Sequence, residues 1–127
     1  MDKFSFFDLR VYQESKQLVK DVYSLLEKFP KFEVYALGDQ LRRAVVSVPS
    51  NIAEGSGRSS LKEKTHFLEI AYGSLTETLC QLDIARDLNY ISDEEFANEK
   101  ERISVIGKQL SGLRSSFQRK LEESANR

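Results

Sequence analysis

Cysteine and histidine each occur once in this 127-residue chain, proline twice and tryptophan not at all. Each scarcity excludes something. Cys80 alone cannot close an internal disulfide, which fits a reducing compartment. "EKTH" (residues 63–66) has the E-x-x-H spacing of carboxylate-bridged di-iron bundles, but His66 is the only histidine. Such sites need two of these motifs plus two further glutamates, so neither a metal nor another cofactor is expected. One histidine cannot support an argued Ser/His/Asp triad either. "EGSGR" lacks the lysine pattern and the preceding strand of a phosphate-cradling loop. A non-enzymatic protein is the expectation. Two prolines suit a mostly helical chain. No apolar run approaches the ~20 residues that cross a bilayer. The stretch "MDKFSFFDLRVYQ" has no small-residue cleavage site after its short apolar patch. The expected location is therefore the cytoplasm, with no membrane partner. Charge of one sign is not in excess: 19 basic residues face 20 acidic ones, whereas a dedicated nucleic-acid binder carries a clear basic surplus.

What is present is helical period. The length predicts one domain, spanning residues 1–127, with enough chain to bury a core. Helix one is predicted over residues 8–29: Val11, Leu18, Val22, Leu25 and Phe29 share one face, interrupted only by Ser15, with Asp8 as N-cap and Pro30 as stop. Helix three is predicted over residues 61–89, opened by the capping-box pattern "SLKE", and helix four over residues 93–121, opened by a second one, "SDEE". Phe96, Ile103, Ile106, Leu110, Leu113, Phe117 and Leu121 keep a repeat close to 3.5 in helix four, and the polar end "EESANR" is expected to fray. The short "NYIS" connection makes helices three and four antiparallel neighbours.

Helix two poses the question of the chain, because "SVPSNIAEGSGR" (residues 47–58) carries a proline among serine, asparagine and charged residues. The apolar period runs through it: Leu37, Leu41, Ala44, Val45, Val48 and Ile52 stay in phase, with Ile52 four residues after Val48. A loop would not keep that phase. One helix over residues 35–54 is predicted, kinked at Pro49, where the Val45 carbonyl loses its donor at a typical cost of ~3 kcal/mol. Ser50 and Asn51 stand near enough to bond locally around the kink. Gly55 and Gly57 are expected to end the helix in the left-handed C-terminal position. The architecture is all-α, an antiparallel up-down-up-down four-helix bundle. Arg43, Ser47, Asn51, Glu54 and Arg58 form a polar stripe beside the apolar face, spaced 4, 4, 3 and 4. It reads either as a solvated face or as a contact surface for a subunit or ligand.

At these residues the chain resembles the bacterial four-helix-bundle proteins named for the 23S rRNA intervening sequences that encode some of them. The resemblance rests on "YALGDQLRRAVVSVPSNIAEGSGR" (residues 35–58), "FLEIAYGSLTE" (67–77), "LDIARDLNYIS" (82–92) and "FDLRVYQESKQL" (7–18). It implies a bundle that assembles with copies of itself into a ring, a homopentamer, with no established biochemical activity. The chain is similar also to the accessory protein of diversity-generating retroelements. That likeness implies RNA, or a nucleic-acid-processing protein, as partner. The family motif falls on Arg42, Arg43, Ser47, Pro49, Asn51, Glu54, Gly55 and Arg58, and on Gly73, Ser74 and Glu77. The net charge of −1 departs from the basic nucleic-acid-binding relatives.

Candidate contact residues follow. Arg42, Arg43, Arg58 and Lys62, with Lys64 beside them, are the nucleic-acid or partner-binding candidates, and Glu54, Glu63 and Glu69 lie near enough to neutralise them. Ser47, Asn51 and Glu54 are the polar interface candidates. Tyr72, Ile84, Leu88 and Tyr90 find no place in the predicted core, and Gly73 costs a helix interior near 1 kcal/mol against alanine. These five are candidates for the oligomer interface. Cys80 is expected as a buried, inert thiol and His66 as a surface or interface residue. The functional expectation is a homo-oligomeric binding or scaffold module. A purely structural protein-interaction module without nucleic-acid binding is the alternative.

Overall fold

Each apolar stripe becomes one face of a helix, and four such helices close around a common core. The computed structural model describes residues 4–126. The helices are α1 (Arg10–Leu26), α2 (Leu37–Ser56), α3 (Leu61–Asp87) and α4 (Asp93–Ala125), with single 3-10 turns at Ser5–Asp8 and Lys31–Glu33. Among the described residues there is no strand. Neighbours in sequence are neighbours in space, α1 also packs on α4, and the two diagonal pairs do not meet. Ion pairs and close approaches set the directions. Lys28 meets Glu95 and Asp21 meets Arg102 between α1 and α4. Gln40 meets Gln81, Ser47 meets Ser74 and Gly55 meets Phe67 between α2 and α3, while Glu69 meets Arg114 and Tyr72 meets Gly107 between α3 and α4. In each case rising numbers on one helix meet falling numbers on the other, so these pairs run antiparallel.

The core holds Leu18 and Val22 from α1, Leu41, Val45, Val48 and Ile52 from α2, Leu75 and Leu82 from α3, and Ile106 and Leu110 from α4. Burying one such side chain contributes roughly 1.5–3 kcal/mol. Ser15, the polar break in the first stripe, is fully buried and donates to the Tyr12 carbonyl at 2.8 Å.

The helix ends differ in detail from the sequence reading. Asp8 does not cap α1; it ends the first 3-10 turn, and Leu9 occupies the N-cap without a side-chain bond. Ser92 and Glu95 form the full capping box of α4, whereas at α3 Ser60 accepts from the Glu63 N–H at 3.0 Å and the Glu63 side chain lies 3.8 Å from Arg58. Gly55 and Gly57 do not use the left-handed region, and α2 continues to Ser56. Gly55 is there for proximity: a Cβ would stand 2.8 Å from the Phe67 Cβ of α3. The left-handed residue is Asn89, with φ 63°. The Tyr90 N–H bonds the Ala85 carbonyl and the Asn89 N–H bonds the Arg86 carbonyl, each at 2.9 Å, a Schellman stop for α3. α4 stays helical to Ala125 instead of fraying at 122–125, while Arg127 lies outside the described residues.

Candidate functional site

α2 runs unbroken through the buried Pro49, so the polar groups of the stripe do stand in a row. Their main target lies within the chain. The Ser47 and Ser74 hydroxyls meet at 2.8 Å across the α2–α3 seam, and Asn51 Nδ2 donates to both Oγ and the carbonyl of Ser47, at 2.9 and 2.8 Å. Ser50 Oγ donates to the Val46 carbonyl at 2.8 Å. These side chains therefore bond the carbonyls just after the one that Pro49 frees. The seam extends to Gln40 and Gln81, whose amides lie 3.5 Å apart, and Gln81 also donates to Glu77 at 3.2 Å. Ser47 and Asn51 thus knit two helices of one chain together.

The predicted basic cluster is heavily neutralised. Arg42 and Arg43 share the two oxygens of Asp39, at 2.9 and 3.0 Å. Arg58 pairs with Glu54 at 2.6 Å and lies over the Phe67 ring at 4.8 Å. Lys64 donates to the Ser56 carbonyl at 2.9 Å, a cation at a helix C-terminus. Lys62 is exposed and has no carboxylate partner among the described residues. Arg43 keeps 80% of its side chain exposed despite its pair.

The outer face of α3 is different in kind. Ile70, Gly73, Cys80, Ile84 and Leu88 recur at helical spacing on the side away from the core, with the exposed Glu77 between Gly73 and Cys80. Ile84 and Leu88 are 43% and 48% exposed, and the space around Gly73 is open to 4 Å. Cys80 belongs to this face: it is exposed, not buried as the sequence suggested, because it lies opposite Leu75 and Leu82 on the helix. Tyr90 does not belong to it. It has a home in the chain, packing on Phe29 with ring centroids 5.1 Å apart and donating to Glu33 at 2.7 Å, a bond that raises its phenol above the usual range. Tyr72 is intermediate: half exposed, with its ring against Gly107 of α4.

A family model described as 23S rRNA-intervening sequence protein matches residues 7–112. The chain belongs to this family. Its match takes in all of α1 to α3 and most of α4. No curated protein matches the chain. Among solved structures it is similar to a protein of unknown function from the S23 ribosomal protein family of Bacteroides thetaiotaomicron, at 21% identity and a TM-score of 0.75, over 81% of this chain and 96% of that one. At that identity the likeness concerns the fold. Neither description names an enzymatic activity.

In this family member the sequence reading missed one polar site, a cleft of about 700 Å³ between α1 and α4. It is lined by Glu14, Asp21, Glu95, Glu99 and Arg102, among others. Arg102 donates to Glu14 at 2.9 Å and to Asp21 at 3.1 Å, and Lys28 bonds Glu95. The Lys28 bond, then the Ser92 N–H, hold Glu95 below the usual carboxylate range. Glu99 goes the other way: burial, then the neighbouring Asp21, push it up to about 8. A signal was legible. Glu99 stands three residues after Phe96 and four before Ile103, inside the apolar stripe. His66 is exposed beside Phe67, and among the described residues no three His, Cys, Asp or Glu side chains gather as a metal-binding group. No described helix is long and apolar enough to cross a membrane.

Proposed function

We propose that this protein is a non-enzymatic scaffold that associates with copies of itself through the outer face of α3. The observation that carries the reading is the outward row of Ile70, Gly73, Cys80, Ile84 and Leu88, apolar or small groups that the bundle itself leaves uncovered. A lone exposed leucine is ordinary; a row along one helix face is the pattern of a contact surface. Gly73 would let a second helix approach closely, and a ring of five copies is what the family resemblance implies. Light scattering and sedimentation of the purified chain test the reading. The expected mass is a multiple of 14.6 kDa. Ile84→Asp combined with Leu88→Asp should lower it while the helical circular dichroism stays unchanged. A wild-type chain that remains monomeric at tens of micromolar overturns the proposal.

A second reading, RNA or a ribonucleoprotein as the bound partner, is favoured by Lys62, which lacks a carboxylate partner among the described residues, and by the outward Arg43. Assembly would repeat these charges once per subunit and strengthen their field. Affinity for a fluorescent RNA should then fall steeply with salt. Lys62→Ala with Arg43→Ala should weaken it further. Absence of binding at low salt leaves the protein-interaction scaffold alone.

A further inference from the structure

Glu99 is a buried acid without a cation of its own. It lies on α4 at the seam with α1, only 8% exposed, and its Oε1 has neither a hydrogen-bond partner nor contact with solvent. Across the seam, Asp21 of α1 lines the same cleft. The other charged groups facing the cleft are Glu14 from α1, Lys28 from the turn after it, and Glu95, Glu101 and Arg102 from α4. Both cations are committed elsewhere. Arg102 spends its Nη1 on Glu14 and its Nε on Asp21, and Lys28 bonds Glu95.

A buried carboxyl group beside a second one, with no cation of its own, cannot ionise cheaply. The group without a cation therefore keeps its proton. Asp21 is held by Arg102, whereas Glu99, buried and unpaired, is the acid. We propose that a proton on Glu99 latches α1 to α4, and that its loss to solvent parts these two helices while α2 and α3 stay closed. The location makes the response local. The α1–α4 seam is the least extensive of the four, and α1, with 17 residues, is the shortest helix. Parting it lets water reach Glu99 and Asp21, which relieves the burial of the new charge. The α2–α3 seam is more extensive, and its central contacts are neutral hydroxyl and amide groups with nothing to titrate.

Hydrogen exchange of the full chain at pH 6 and pH 9, corrected for the intrinsic rate, reads the latch helix by helix. The expected result is a tenfold or greater loss of protection in α1 and the first half of α4 at pH 9, with the centres of α2 and α3 unchanged. Glu99→Gln keeps the shape and the donor but cannot ionise, so it should hold α1 and α4 protected at pH 9. The wild-type chain gives an independent readout. The Glu99 side-chain carboxyl carbon, followed by NMR, should titrate above neutral pH. Equal protection at both pH values, loss spread evenly over all four helices, or a Glu99 carbon titrating in the ordinary carboxylate range each overturns the proposal.

Discussion

Two seams of the same bundle are built on polar side chains, and they solve the burial problem in opposite ways. Between α2 and α3 the central buried groups are neutral, and the one oxygen left unpaired, Gln81 Oε1, belongs to an amide. Ser47, Ser74 and Asn51 satisfy one another at 2.8–2.9 Å, and Gly55 lets α2 approach Phe67 of α3 closely. Between α1 and α4 the groups are acids and their cations, and one carboxyl oxygen, on Glu99, is left unmatched. A satisfied neutral network stiffens a contact and is indifferent to pH. A half-satisfied charged one makes the contact conditional on protonation. The same fold thus carries one fixed seam and one conditional seam.

The pH dependence of stability separates them most sharply. Glu99 has a folded pKa of about 8 against an ordinary value of 4.5. The folded chain therefore binds more protons than the unfolded chain across that window, and stability falls as pH rises through it. The cost is complete above the folded value and is on the order of 3–5 kcal/mol. Urea unfolding at pH 5, 7 and 9 should show this decline in wild type, whereas in Glu99→Gln the curve should flatten and the pH 9 midpoint rise. Glu95 works against this at the acid end: its depressed value contributes stability that is lost as pH falls through it. The α1–α4 seam should be firmest between the two titrations.

Breaking the neutral seam needs a steric change instead. Gly55→Ala would put a methyl group 2.8 Å from the Phe67 Cβ, so it should destabilise by about 1–3 kcal/mol at every pH, read from the urea midpoint. Ser47→Ala removes the hydroxyl that Ser74 and Asn51 share, and should cost about 1 kcal/mol, again without pH dependence. The smallest effect discriminates the proposed assembly. Gly73→Ala meets open space in one chain, so helix propensity alone predicts a gain of roughly 0.5–1 kcal/mol. If another copy packs there, the same substitution should instead lower the sedimentation mass at a fixed concentration.

Particular residues show where legibility stopped. The unbroken phase from Val45 through Val48 to Ile52 announced a helix across Pro49, and the structure has one. Glu54 was legible as a neutralising partner of Arg58, four residues away, whereas Asp39, which pairs with both Arg42 and Arg43, was not weighed at three and four residues' distance. Cys80 was misplaced because it neighbours Leu79 and Leu82 in sequence while its own Cβ points to the opposite side. Asn89 was read as the last residue of the third helix, whereas it is the left-handed residue that stops it, a conformation asparagine tolerates.

Sequence alone determined four helices, their apolar faces and their serine N-caps at Ser60 and Ser92, because period and capping depend on residues within a turn or two of each other. Only the tertiary structure decided which polar residues became a seam, why Gly55 has no side chain, and that Glu99 keeps a proton. Those properties belong to pairs of groups far apart in the chain. A hydroxyl, a glycine or a carboxylate acquires its energetic meaning from what the opposite helix places against it.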